Sequence, residues 1–231
     1  MRTAIILAGG LGIRLRSITK DLIPKPMVNV QGLPFLHWQL RYLRHQKIDK
    51  IIMAVSHQPD IIINYFGDRF LSMPIRYSKE NKPLGTGGAI ALALDQCEES
   101  SALIINGDTY FPVDLFEMAE THRKRKNDIT IALKLMKEFD RYGSIEINAK
   151  NEITNFYEKA WKAKGYINGG IYLVNKSAFN NYARFEPFSI EKNVFEKNLA
   201  NLQIGGFKSK AGFIDIGIPE EYNRIQAMKL R

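Results

Sequence analysis

Cysteine is almost absent: 231 residues contain one, Cys97. It can form no internal disulfide and belongs to no cysteine-rich metal site, which fits a reducing compartment, with the cytoplasm as default. Histidine is nearly as scarce. His37, His45, His57 and His122 show no ligand spacing, so no zinc site is expected. Long apolar runs are missing too: Ala4 to Ala8 falls far short of the ~20 residues that cross a bilayer. Arg2 precedes a mostly apolar stretch, as in a secretory leader, but Gly9, Gly10 and Gly12 interrupt it and no small-residue cleavage pattern follows, so it reads as structure. There is no repeat, low-complexity tract or Ser/Gly linker, and residues 1–231 read as one domain.

Acidic residues are in deficit. Lys and Arg number 33 against 24 Asp and Glu, a net charge of +9. Residues 1–60 carry nine of those cations and three aspartates. The excess concentrates anions near the chain, whether nucleic acid, membrane surface or phosphorylated small molecules. The run Arg123-Lys124-Arg125-Lys126 reads as a solvated helix end, not a nucleic-acid patch. With 45% hydrophobic residues the composition is that of a globular protein and excludes disordered and fibrous classes.

Strand-like runs at 3–7, 50–55, 75–78 and 102–106 alternate with helical patterns over 35–46, 59–70, 87–94 and 113–124, which predicts βαβ units. After Asp128 the pattern changes to strands at 129–136, 144–147, 153–157 and 167–174, predicting antiparallel additions. A last helix is expected from Pro219, with Glu220 and Glu221 in its first turn and Lys229 and Arg231 in its last.

Directly after the first strand come Gly9, Gly10, Leu11, Gly12, Ile13 and Arg14. Glycines let backbone amides approach a phosphate, and Arg14 adds charge. A dinucleotide fingerprint would need glycine at position 15, where Leu15 stands; a P-loop would need Gly-Lys-Ser or Gly-Lys-Thr, which is absent. Lys25 lies between Pro24 and Pro26, which predicts an extended, pre-organised backbone able to aim the amine at a phosphate. Asp108 follows an apolar strand and Gly107, at a strand's carboxyl end where open α/β sheets bind ligands. A lone aspartate at such a place is more often a turn former.

The ordered series Leu7-Ala8-Gly9-Gly10, Gly12, Arg14-Leu15, Pro24-Lys25-Pro26-Met27, Pro83 to Gly88, Asn106-Gly107-Asp108, Tyr142-Gly143, Glu158-Lys159, Asn168 to Tyr172 and Asp215 to Glu220 resembles the sugar-1-phosphate nucleotidyltransferases. The resemblance implies a Rossmann-like α/β fold, a mostly parallel mixed sheet flanked by helices, with no C-terminal β-helix. It implies transfer of a nucleoside monophosphate from an NTP to a sugar 1-phosphate, with release of pyrophosphate. Arg14, Lys25, Asp108 and Asp215 would be catalytic, the two aspartates holding Mg²⁺. Leu7, Ala8, Gly9, Gly10, Gly12, Gly85 and Thr86, with Arg14 and Lys25, would bind the nucleotide. Tyr142, Gly143, Glu158, Lys159, Asn168 and Gly169 would bind the sugar. The loops at Pro83 and Asn168 look most like the guanylyl branch, implying GTP, and the short chain as a whole looks most like the members that act on D-glycero-α-D-manno-heptose 1-phosphate, implying that acceptor and surface glycan synthesis. Mannose 1-phosphate, a uridylyl or thymidylyl donor, and a noncatalytic sugar-nucleotide sensor are the alternatives. No nucleic acid or membrane partner is expected, and a homo-oligomer is left open. Ile13, Ser17, Phe213 and Ile218 depart from residues frequent in the family; none removes a needed charge.

Overall fold

The computed structural model describes residues 2–10 and 12–230, apart from the Ile13 side chain. Leu11 of the glycine-rich loop, the substitution at Ile13 and the terminal Arg231 therefore lie outside the described residues. Four strands make a parallel centre: β1 (Thr3–Leu7), β2 (Lys50–Val55), β3 (Met73–Lys79) and β4 (Ser101–Asn106). They lie in the order β3-β2-β1-β4. The second half adds β5 (Ile129–Phe139), β6 (Ser144–Ile147), β7 (Ile153–Tyr157), β8 (Lys162–Asn175) and β9 (Ile204–Ser209). β8 runs antiparallel beside β4, and also pairs antiparallel with β5 and β6; β9 is parallel to β5.

Apolar residues alternate across the central strands because successive side chains point to opposite faces. Ile5, Ile52 and Ile104 face one core, and Ile6, Met53 and Ile105 the other. Helix α1 (Phe35–His45) covers the second core with Leu36, Leu40 and Leu43, and α2 (Pro59–Phe66) adds Ile62. Helix α3 (Gly85–Leu94), apolar all round, supplies Ile90 and Leu94 to the first core. Helix α4 (Leu115–Lys124) starts where the Asp114 side chain accepts from the Glu117 N–H. The closing helix is α5 (Pro219–Gln226). The chain is thus a Rossmann-like α/β fold flanked by helices, and among the described residues no β-helix follows.

Several sequence expectations change, some at their boundaries and some in kind. The helix expected over 59–70 stops at Phe66, because Gly67 adopts φ +60° and its N–H closes on Ile63 O; Arg69–Phe70 then pairs with the start of β3. The last helix ends at Gln226, so Arg224, not Lys229, sits in its final turn. β9, which carries Gly205 and Gly206, and the turn of π-helix at Ile190–Phe195 were absent from the pattern-based reading. Lys25 opens a 3₁₀ turn with Pro26 and Met27; the extended residue is Pro24. The basic run at the end of α4 is a solvated face, with Arg123 and Lys124 both reaching Glu120.

Candidate active site

The strand order reverses between β1 and β4, and a crevice opens at the carboxyl ends of these two strands. Leu7 and Asn106 are register partners there, and the Gly107 N–H donates to Leu7 O at 3.0 Å. A Cβ on residue 107 would overlap that carbonyl, so the close approach of the two chain ends requires glycine. On one side of the crevice is a cavity of about 310 Å³ lined by Leu7, Gly9, Gly10, Lys25, Gly85 and Thr86 among others. Its far wall carries Ser56 and Glu80, against which Gly9 sits so closely that a Cβ would lie 2.9 Å from Ser56 Cβ.

The charged centre is built from three distant parts of the sequence. Asp108 lies just past β4. Residues Thr109–Tyr110 form a two-stranded ribbon with Ile214–Asp215, and the Ile216 N–H donates to Asp108 O at 3.0 Å. This ribbon brings Asp215 beside Asp108. Lys25 Nζ lies 2.5 Å from Asp108 Oδ2 and 3.8 Å from Asp215 Oδ1, so both carboxylates converge on one ammonium. Gly12, at φ +61°, packs against the Lys25 side chain, and Lys25 is buried. Burial raises the Asp215 pKa, and the Asp108 charge raises it further; Lys25, the Gly217 N–H and Arg14 pull the other way. Two crowded carboxylates with oxygen donors only suit a hard dication that keeps water and phosphate oxygens, as Mg²⁺ does. Among the described residues no group of three His, Cys, Asp or Glu side chains is gathered to hold a metal without such oxygens.

From behind, α1 fixes this centre. The Gln39 Nε2 group, fully buried, donates to Asn106 O at 2.8 Å and to Thr109 O at 2.7 Å, bracketing Asp108.

A second cavity, about 320 Å³, shares Asn106 and Asp108 with the first. Arg14, Lys159 and Asp215 line it with Tyr142, Gly143 and Asn168. The Asn168-Gly169-Gly170 stretch is a register break in the β8–β5 pairing, with Gly170 at φ +71°; the Asn168 Oδ1 accepts from the Gly170 N–H. This bulge turns Asn168 and Gly170 toward the cavity. Burial, with Asp215 nearby, pushes the Tyr142 phenol up to about 12, so it is neutral at pH 7.

Most of the sequence-derived residues gather here, with six exceptions in detail. Gly12 lines neither cavity and packs against Lys25, and Arg14, expected at the nucleotide, lines only the second cavity. Ala8 is buried and does not line the first cavity, its N–H bonded to Ala54 O. Gly169 packs under Phe111 and leaves the lining to Gly170. Glu158 is exposed, lines neither cavity and faces Lys192 at 3.7 Å. Thr86 lines the first cavity, yet its hydroxyl is engaged by the Ile190 N–H and Glu191. Sequence reading missed Glu80, Gln39, Arg141 and Glu191. The local signal for Glu80 was its place at the end of β3, just ahead of Pro83; the other three carry none.

The sequence model described as nucleotidyl transferase matches residues 3–229. The chain belongs to this family. It is 47% identical over 223 residues to the D-glycero-alpha-D-manno-heptose 1-phosphate guanylyltransferase of Aneurinibacillus thermoaerophilus, covering 96% of each chain. To the enzyme of the same name from Campylobacter jejuni it is 44% identical, over 95% of this chain and 96% of that one. Among solved structures, HddC from Yersinia pseudotuberculosis superposes with a TM-score of 0.89 at 37% identity, over 98% of each chain. HddC complexed with GMP-PN gives 0.86 at 36% identity, again over 98% of each.

Proposed function

We propose that this nucleotidyl transferase moves GMP from GTP to a sugar 1-phosphate, D-glycero-α-D-manno-heptose 1-phosphate, releasing pyrophosphate and forming a GDP-sugar for surface glycan synthesis. One observation carries the reading: a glycine-walled cavity and a cation-bearing cavity join at Asp108, with Lys25 at the junction. The named relatives supply the guanylyl and heptose assignments. Glu80 supports the base. Its carboxylate lies on the wall of the first cavity, where Oε2 accepts from the Leu84 N–H at 2.7 Å and Oε1 is left to accept from the N1–H or N2–H₂ donors of guanine.

The second pKa of a phosphate monoester lies near ~6, so the acceptor arrives mostly ionised at neutral pH and needs no general base. Its oxygen attacks the α-phosphorus while the bond to the bridging oxygen of the β-phosphate breaks, and pyrophosphate leaves. Catalysis therefore consists of aligning two polyanions and offsetting their charge. Lys25 does this at the junction. Arg14, beside Asp215, offsets charge on the leaving pyrophosphate. Tyr142, Gly143, Asn168 and Lys159 orient the acceptor, while Leu7, Gly9, Gly10 and Gly85 accommodate the nucleotide. Glu158 would have to leave Lys192 and turn inward to accept sugar hydroxyls. Asp108 and Asp215 would hold Mg²⁺, which when bound supplies positive charge to phosphate oxygens.

The test is pyrophosphate release with GTP, UTP, dTTP, CTP and ATP against heptose 1-phosphate and mannose 1-phosphate, with and without Mg²⁺. Turnover is expected with GTP and the heptose, and only with metal. Lys25→Ala and Asp108→Ala should each lower it by about 10²–10³-fold. Tight GDP-sugar binding without turnover on any pair would instead make the protein a sensor.

A further inference from the structure

The cavity beyond Asp108 carries a guanidinium that the reaction outlined above leaves unused. Arg141 precedes Tyr142-Gly143 and lines this cavity. Its side chain is held in place: the guanidinium carbon lies 5.4 Å from the centre of the Tyr142 ring, and Nη1 lies 3.9 Å from Glu221 Oε1. Its hydrogen bonding is incomplete. Nη2 is buried and has no hydrogen-bond partner, and the Glu221 contact is at the outer limit for an ion pair. Glu221 is itself shared, because Arg224 Nη2 approaches its other oxygen at 3.0 Å. A buried donor without a partner costs free energy that an entering acceptor returns.

The other cations differ. Lys159 lines the cavity but is exposed, and Lys25, which lines the first cavity, is held by Asp108. Arg14 lies against Asp215 and Gly217. Arg141 stands on the wall with Tyr142 and Phe213, whose rings meet at 5.8 Å. A guanidinium presents a planar fork of N–H donors that fits two oxygens of one phosphate. Stacked on an aromatic ring and tethered by a weak ion pair, it loses little conformational freedom when it binds.

We infer that Arg141 binds the phosphate of the acceptor sugar 1-phosphate through its guanidinium, exchanging its weak contact with Glu221 for the ligand's oxygens. The inference rests on the reading of the second cavity as the acceptor's. Arg141 makes the site select phosphorylated over free sugars and holds the attacking group where Lys25 and Arg14 can offset its charge.

The experiment measures binding of mannose 1-phosphate and of free mannose to the wild-type protein, Arg141→Gln and Arg141→Lys by calorimetry, with thermal melts to check folding. Steady-state KM for acceptor and for GTP is measured on the same three proteins. Arg141→Gln should weaken binding of the sugar phosphate by about tenfold or more, ~1.4 kcal/mol, with the KM for GTP within about twofold of wild type. Arg141→Lys should recover part of the loss, since it keeps the charge and loses the fork. Unchanged sugar-phosphate affinity in a folded Arg141→Gln overturns the inference, even if the wild type turns over normally. A rise confined to the KM for pyrophosphate in the reverse reaction would place Arg141 on the leaving group and overturn it as well. If the wild type binds mannose 1-phosphate no better than mannose, the inference fails. Absence of turnover alongside Arg141-dependent binding would overturn the transferase reading alone.

Discussion

Replacing Gln39 by leucine tests how the fold holds its charged centre. The Gln39 Nε2 group makes two short bonds, 2.8 Å to Asn106 O and 2.7 Å to Thr109 O, in a fully buried place. Losing each costs about 1 kcal/mol net, and carbonyls left unpaired add to this. Against it, the Gln39 Oε1 atom has no partner, so its removal returns part of the loss. The expected net destabilisation is about 2 kcal/mol, or a melting temperature lower by roughly 4–8 °C for a chain of this size. The larger effect should be on rate. Asp108 sits between the two released carbonyls, and a displacement of about 1 Å at a reacting centre costs ~10²-fold. Tyr42→Phe is the control: it removes one buried bond, from the hydroxyl to Val113 O at 2.8 Å, away from Asp108. The assay is pyrophosphate release from GTP and sugar phosphate, beside a thermal melt. If Gln39→Leu lost stability as expected but kept kcat within about twofold of Tyr42→Phe, the idea that this amide positions Asp108 would be wrong.

Three further outcomes are expected. Gly107→Ala must push the Leu7 carbonyl away and part the ends of β1 and β4, so it should lower activity by more than tenfold and destabilise by about 2 kcal/mol; an alanine variant with normal kcat would show that the crevice tolerates opening. Glu80→Gln should narrow the preference for GTP over UTP by about tenfold in kcat/KM, since Oε2 is held by the Leu84 N–H and an amide keeping that bond turns its NH₂ donor to where the free carboxylate oxygen stood; an unaltered donor ranking would remove Glu80 from base reading. Burial lowers the His122 pKa below its ordinary 6.5, while hydrogen bonding to Asn175 opposes this in part. Between the lowered native value and 6.5 the unfolded chain binds more protons, so stability should fall as pH drops through that window and be level above it. Urea midpoints of His122→Gln should show a shallower decline between about pH 5 and 7, and a decline as steep as wild type would assign it to other groups.

Much of the architecture could be read locally. Ile5, Ile52 and Ile104 sit in runs whose apolar content and length identify buried strands, and Gly9, Gly10 and Gly12 follow the first of them at once. The errors occurred where one residue outweighed a pattern. Gly67 ended a helix whose apolar period continued to Phe70, and Lys25-Pro26-Met27 formed a turn where the proline rules favour an extended Lys25. Glu158 was chosen by resemblance, and its position on an exposed turn facing Lys192 depends on how β7 and β8 are joined. Gln39 looked like one more residue of an amphipathic helix, because nothing in its neighbours reveals which carbonyls it will meet.

The residues alone determined most of the strand and helix segments, the glycine-rich approach to a phosphate and the supply of cations, since backbone freedom, hydrophobic period and charge belong to each short stretch. Only the tertiary structure decided that Lys25, Asp108 and Asp215 share one point, that two cavities open on either side of it, and that Arg141 has an unpaired donor there. Those facts depend on the strand order and on the ribbon joining Thr109–Tyr110 to Ile214–Asp215. Such pairings are set by packing across the whole sheet and leave no trace in the spacing of the residues they unite.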